Sequence, residues 1–464
     1  MSMQHAVLAL VALALGGCMM GPDYQRPDIE LPASYPEAAA GGEPAMSVPA
    51  NWWTLYRDPT LDQLVKTGLE RNTDVRLAVA RIEEARAMLR EVDATLLPEI
   101  DANVAAGRSR SSTRTGTLPS GAQAVRSNFL VSANTSFEID FWGRLRRLQE
   151  SARAQYMGSR YGHDVVSLTL TAGIAQTYFT IRSLDAQIIV STETLRAAVD
   201  STDIARQRAQ AGLVSDLDVY QAEGNRAQFA SQIKEFQRLR AVAVHQLGVL
   251  TATPGLDIAA GDLQLPTPPL PPAGLPSALL ERRPDIREAE TSAVAANALI
   301  GVARASQFPT ISLTAAVGSQ SAELSNLFSS GAGIWSVGLG AIGPVLDWGR
   351  YAARTEQTEA RARQSALMYE QTVRNAFREV SDALSNVRLA ADAEKDYRDR
   401  VEQTQNALRI ARQRYESGYS GYLEVLDAQR TLNAAQLALT LNRRAFLGYT
   451  VDLMNALGGG WIAY

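Results

Sequence analysis

The 464-residue chain is short of side chains that carry much soluble-protein chemistry: it has one cysteine, three histidines and three lysines (Lys66, Lys234 and Lys395). A single cysteine excludes intramolecular disulfides and cysteine-ligated zinc. His163 and His245 have no partner at ligand spacing, so neither a metal site nor a cofactor is expected. No charge of one sign dominates: 45 basic against 49 acidic residues leave a net charge of −4, and no nucleic-acid partner is implied. Runs of the ~18 apolar residues that a spanning helix needs are missing. No constellation pairs a nucleophile with a base and an orienter, so the chain does not read as an enzyme. The one phosphate-loop look-alike, Gly338-Leu-Gly-Ala-Ile-Gly343, is followed by Pro344 and opens no helix.

The N-terminus supplies the first positive signal. Ala6–Leu15 forms an apolar stretch of signal-peptide length, followed by Gly16-Gly17-Cys18. Small residues before a cysteine resemble the bacterial lipobox. That resemblance implies removal of residues 1–17 and lipidation of Cys18, and several acyl chains anchor firmly. Met1–His5 carries no Lys or Arg, a departure from an ordinary leader, and no Asp follows the cysteine to retain the protein at an inner membrane.

A duplication covers most of the remainder. Arg206–Val219 aligns with Arg412–Val425, and Trp142-Gly143-Arg144 with Trp348-Gly349-Arg350. Asp74-Val75-Arg76 matches Asp285-Ile286-Arg287, and Pro98 matches Pro309. Two repeats, 73–250 and 285–457, are therefore expected. A Pro-rich strap (251–284) joins them, an N-terminal segment (18–72) precedes them, and a tail (458–464) follows. Each repeat reads helix, hairpin, long helix, turn, helix. The first copy predicts helices over roughly 73–96, 145–211 and up to Leu250; the second predicts 285–307, 350–417 and 422–457. Apolar residues three and four apart (Leu168, Ala172, Ala175, Tyr178, Ile181) mark a narrow seam. Some 67 helical residues reach about 100 Å, a coiled-coil dimension rather than that of a globular core.

Between the proline and tryptophan markers the period changes to two. Phe129, Val131, Ala133, Thr135, Phe137 and Ile139 alternate with small or polar residues. Ile100–Ala106, Ile311–Val317 and Trp335–Ala341 do the same. Such hairpins, about 98–142 and 309–348, match membrane β-barrel strands, with Phe141, Trp142, Trp335 and Trp348 as interfacial aromatics. Taken alone, the strands fit a half-buried sheet packed on a helix equally well. Four strands cannot close in lipid, so the barrel reading requires several copies.

Together the lipobox, the duplicated halves, the strap and the turns Gly212-Leu213-Val214 and Gly418-Tyr419-Ser420 resemble the TolC-like outer membrane factors, nearest the OprM/NodT group of efflux lipoproteins. The resemblance implies a mixed α and β membrane protein. Three chains, each giving four strands, share a twelve-stranded barrel continued by a long periplasmic α-helical barrel. It further implies a homotrimer anchored among outer membrane lipids, working with a periplasmic adaptor and an inner-membrane pump to export small molecules such as drugs. Protein or peptide secretion is an alternative. A lipid-anchored periplasmic coiled-coil adaptor is a lesser one, since adaptors lack the paired hairpins.

The same resemblance assigns site residues. Tyr415, Glu424 and Asp427 match the Tyr and the two acids of the family's periplasmic gate, and Asp218 matches an Asp that bonds across to that Tyr. Ser420 replaces the family's basic partner, with Arg412 and Arg414 nearby as substitutes. Gly212, Leu213, Val214, Gly418 and Tyr419 are the expected adaptor-docking tips. Asp218 and Glu424 also suit a helix N-terminus whatever the function. Asp427 lies a turn further in, beside like charge, and reads more strongly as functional.

Overall fold

The computed structural model describes residues 19–32, 34–35, 48–114, 123–261 and 279–460. Cys18, the leader, the proline-dense centre of the strap and the last four residues lie outside the described residues. Six long helices follow the duplication: α2 (Thr73–Ala94), α3 (Arg144–Gln210) and α4 (Asp216–Leu250), then α6 (Pro284–Ala305), α7 (Arg350–Glu416) and α8 (Tyr422–Ala456). The long helix has 67 residues and the helix after it 35 in both copies. Four described elements were not legible as periodicity: two 3-10 turns (Trp52–Tyr56 and Leu324–Asn326), α1 (Pro59–Arg71) and the single turn α5 (Leu279–Arg282). A local signal for α1 does exist. Asp58 before Pro59 accepts the Thr60 and Leu61 amides, an N-cap with proline in the first turn.

Caps also begin the long helices. An aspartate precedes Trp-Gly-Arg in each repeat. Asp140 accepts the Leu145 and Arg146 amides at 3.0 Å each, and Asp347 accepts those of Gly349 and Tyr351 at 3.1 and 2.9 Å. Gly143 and Gly349 turn the chain at positive φ.

The chain divides into two compact units, each assembled from both repeats. The first unit (1–28, 81–159 and 288–369) holds a four-stranded antiparallel sheet in the order β1 (Glu99–Arg110), β2 (Val125–Ile139), β3 (Thr310–Ser321) and β4 (Gly333–Ile342). Register puts Ala102, Ala133, Val317 and Trp335 in line on one face. Val104, Val337 and Leu339 on that face are largely exposed, so a broad apolar surface has no cover among the described residues. Gly318 is required where β2 and β3 meet, since a Cβ there would lie 2.3 Å from the Val131 carbonyl. Residues 19–23 are seated in this unit: the buried Arg147 donates to the carbonyls of Met20 and Gly21 and to Asp23.

The second unit (29–80, 160–287 and 370–464) packs the α1 region against the middles of the long helices. Trp52 and Tyr56 are fully buried. The Tyr56 hydroxyl meets that of Thr450 at 2.6 Å, and its ring lies 4.9 Å from Phe179. A chain of polar contacts ties this packing to the start of the strap. Tyr178 donates to Asp58 (2.5 Å), Arg182 donates to Tyr178 (2.9 Å), and the buried Asp185 accepts from Arg240 (2.5 Å), Arg182 (3.4 Å) and the Gly261 amide (3.2 Å). Among the described residues no helix is long and apolar enough to cross a membrane.

Removing one member of a buried ion-pair network strands its partners. Asp185→Ala is expected to destabilise the protein by about 3 kcal/mol. Loss of the helical circular-dichroism signal at lower temperature than in the wild type would register it.

Candidate functional site at the helix-turn tip

In the second unit the α3–α4 and α7–α8 turns come together. Gly212 (φ +71°) and Gly418 (φ +80°) end the long helices in the left-handed conformation, with the Leu213 amide donating to Arg208 O and that of Tyr419 to Arg414 O. Ser215 caps α4 through the Leu217 amide. At the second turn Gly421 stands at the cap position and makes no side-chain bond.

Behind the turns lies a small core of Ala205, Ala222, Leu408, Ala411, Tyr415, Tyr422, Val425 and Leu426. The rings of Tyr415 and Tyr422 meet edge to face at 5.5 Å. Arg208 stacks its guanidinium 4.7 Å over the Tyr415 ring and donates to the Tyr415 carbonyl. One polar layer sits deeper. Asn225, fully buried, donates to Gln429 at 3.0 Å, Gln429 donates to Ser201 at 3.0 Å, and Arg430 donates to Asn225 at 3.2 Å. A buried amide layer of this kind fixes helix register.

The expected site residues fall into three groups. Asp218 and Tyr415 are brought near each other, but the buried Tyr415 hydroxyl has no hydrogen-bond partner among the described residues. Asp218 therefore acts on Tyr415 through charge and not through the bond the resemblance implied. Burial, then Asp218, raises the Tyr415 pKa, while Arg208 opposes them. Glu424 and Asp427 are exposed on α8. Glu424 has Arg414 at 3.4 Å, whereas Asp427 makes no ion pair among the described residues. Of the two arginines considered as substitutes, Arg414 makes this weak exposed contact, and the buried Nε and Nη2 of Arg412 have no bond among the described residues. Leu213 and Tyr419 are exposed at the turn apices, as are Gly212 and Gly418, with Val214 half-buried. Cys18 lies outside the described residues.

Sequence reasoning missed Arg208, Asn225 and Gln429. Arg208 lay inside the aligned Arg206–Val219 segment, two residues from the quoted Arg206, but its duplicate position is Arg414 and nothing in the spacing separated their roles. The buried amides had no signal beyond being polar on otherwise small-residue seams.

The exposed apolar face and open edges of a four-stranded sheet, joined to helices of 67 residues, define a membrane conduit whose barrel closes only between copies. The family model for outer membrane efflux proteins matches residues 64–253 and 275–459, and the chain belongs to that family. It is 36% identical over 466 residues to the toluene efflux pump outer membrane protein TtgC of Pseudomonas putida, covering 98% of this chain and 95% of that one. It is also 36% identical over 457 residues to the cation efflux system protein CusC of Escherichia coli O157:H7, covering 97% of each. Among solved structures, the outer-membrane channel OprN superposes with a TM-score of 0.90 at 29% identity, over 96% of this chain and all of that one. A CusC structure gives 0.86 at 33%, over 95% and 100%. Three copies of this chain accordingly form a twelve-stranded outer membrane barrel continued by a periplasmic helical tunnel, the outer channel of a tripartite efflux system.

Burial pushes the Tyr422 phenol up to about 12. The folded chain keeps a proton that the unfolded chain loses near the ordinary value of 10.0, so this contribution is whole below pH 10 and fades as pH rises through about 12. Thermal stability should therefore drop between about pH 10 and about pH 12, and Tyr422→Phe should shallow that drop. An unchanged slope in the variant would contradict the assignment.

Proposed function

We propose that this chain exports small molecules and that the tip is its gate, with Cys18 as the lipid anchor and no catalytic step. The single observation that carries the gate is Arg208 of the first repeat clasping Tyr415 of the second. It joins the two turns by stacking and by a carbonyl bond, with no bond to the hydroxyl among the described residues. Asp427, unpaired among the described residues, and Glu424 lie one turn apart on α8. Threefold repetition makes them an acidic ring that concentrates cations and slows anions. Leu213, Val214 and Tyr419, presented beside Gly212 and Gly418, suit docking to a periplasmic adaptor, through which an inner-membrane pump delivers cargo. Small cargo is favoured over secreted protein because the relatives are named for efflux of toluene, antibiotic and cations.

Two measurements in planar bilayers test this reading. Arg208→Ala removes a contact worth about 1–2 kcal/mol and should shift the tip equilibrium toward conduction about 5- to 30-fold. An unaltered open fraction would refute the clasp. Neutralising the ring with Glu424→Gln and Asp427→Asn should reduce cation preference, and unaltered selectivity would remove the ring from the mechanism. Restored resistance to a small toxic compound, in cells lacking their own outer channel, tests the cargo class.

A further inference from the structure

The first hairpin segregates its charge. From residue 102 to residue 137 there is no Asp, Glu or Lys, yet Arg108, Arg110, Arg114 and Arg126 all lie there. The second hairpin is the reverse, with no Lys or Arg between Arg304 and Arg350. Strand register fixes where two of the arginines sit. Arg108 pairs with Ser127 and Arg110 with Val125, in alternation with Ala106–Phe129, Val104–Val131 and Ala102–Ala133. Both therefore project from the apolar, lipid-facing side of β1, whereas Arg126, paired with Ser109, projects from the opposite side. All three are exposed and none makes an ion pair among the described residues.

A charge on the lipid face is costly at mid-bilayer and tolerated only at the interface. Arg108 lies eight residues beyond Ile100 at the helix end of β1, about 26 Å along the strand. With the 35–45° tilt of barrel strands that is a rise of about 20 Å, just inside the outer edge of an apolar band about 25 Å tall, from where the side chain's stem can carry the guanidinium out to the interface. Arg110 is one step further out on the same side. Two guanidiniums, one above the other toward the rim, with the acids of their hairpin confined to its helix end (Glu99, Asp101 and Glu138), match phosphate groups at the boundary of hydrocarbon and water. Arginine binds phosphate through paired N–H donors, and its aliphatic stem can lie along the apolar band.

We propose that Arg108 and Arg110 form a lipid-facing site, repeated three times around the barrel, for the phosphorylated headgroup of the outer leaflet's glycolipid. The assignment rests on the barrel and its register and is independent of the cargo or the gate. Arg126 faces the lumen at the same height and is the internal control for charge without lipid access.

Native mass spectrometry of the full-length trimer in detergent, with purified bisphosphorylated outer-leaflet glycolipid and the same glycolipid after phosphatase treatment, tests the site. Wild type should retain the phosphorylated form about tenfold or more over the dephosphorylated one. Arg108→Ala with Arg110→Ala should abolish that difference while the trimer keeps its heat stability. Arg126→Ala should leave it intact. Equal retention of the two glycolipids by wild type would overturn the proposal, and this comparison decides by itself should the double variant fail to assemble. Undiminished discrimination by an assembled double variant, an equal loss in Arg126→Ala, or displacement by equimolar inorganic phosphate would overturn it as well.

Discussion

A peptide group in hydrocarbon must find its hydrogen bond within protein, and nearly everything about this chain follows from that constraint. Four strands in the order β1-β2-β3-β4 satisfy one another internally but leave the outer sides of β1 and β4 open. Only further copies close them, so the functional unit is a trimer. Every feature of one chain then recurs three times about an axis. In the gate proposed above, a pair of exposed carboxylates on α8, unremarkable singly, becomes a ring by symmetry, and in the proposed lipid site a pair of rim arginines becomes a collar.

The two compact units meet different solvents with different chemistry. Around the sheet, apolar residues face outward and stay exposed, inverting the usual rule that they fill a core. At the tip, three alanines, Leu408, Val425 and Leu426 pack with two tyrosines and an arginine stack, with a buried amide layer beneath. Alanine seams let helices approach closely and give up area per residue, so the tip is held by a few specific contacts. Under the proposed gate, such a tip opens without unfolding its neighbours, the amide layer holding register while the stack is released.

How far the sequence could be read depended on the range of the interaction. The 67-residue helices were legible because proline is absent and the apolar spacing is regular, and their ends fell within a residue or two of Gly212 and Gly418. The strands were legible from alternation between Pro98 and Trp142 and between Pro309 and Trp348. The α1 helix escaped because its N-cap, Asp58-Pro59, was too local to stand out in a segment read as a linker. At the tip, Asp218 bears on Tyr415 through charge, and among the described residues no hydrogen bond reaches the Tyr415 hydroxyl. The hydroxyl partner depends on small displacements between helices far apart in sequence, and an arginine takes the ring instead. Asn225 and Gln429 illustrate the same limit, since a polar residue gives no sign in sequence of whether it faces water or another amide.

The middle of the sheet carries a consequence for how the protein is made. Asn128 of β2 bonds Gln320 of β3 across 192 residues, so the central ladder joins hairpins from opposite repeats. Each hairpin is local and can form as its strands emerge, but their union waits until the second hairpin, ending at Ile342, has been synthesised, and pairings so distant in sequence are slow to find. Throughout that interval an apolar hairpin face and a bare strand edge travel together through water. The newly exported chain thus depends on being held apart from its own siblings until the same edges are wanted for assembly.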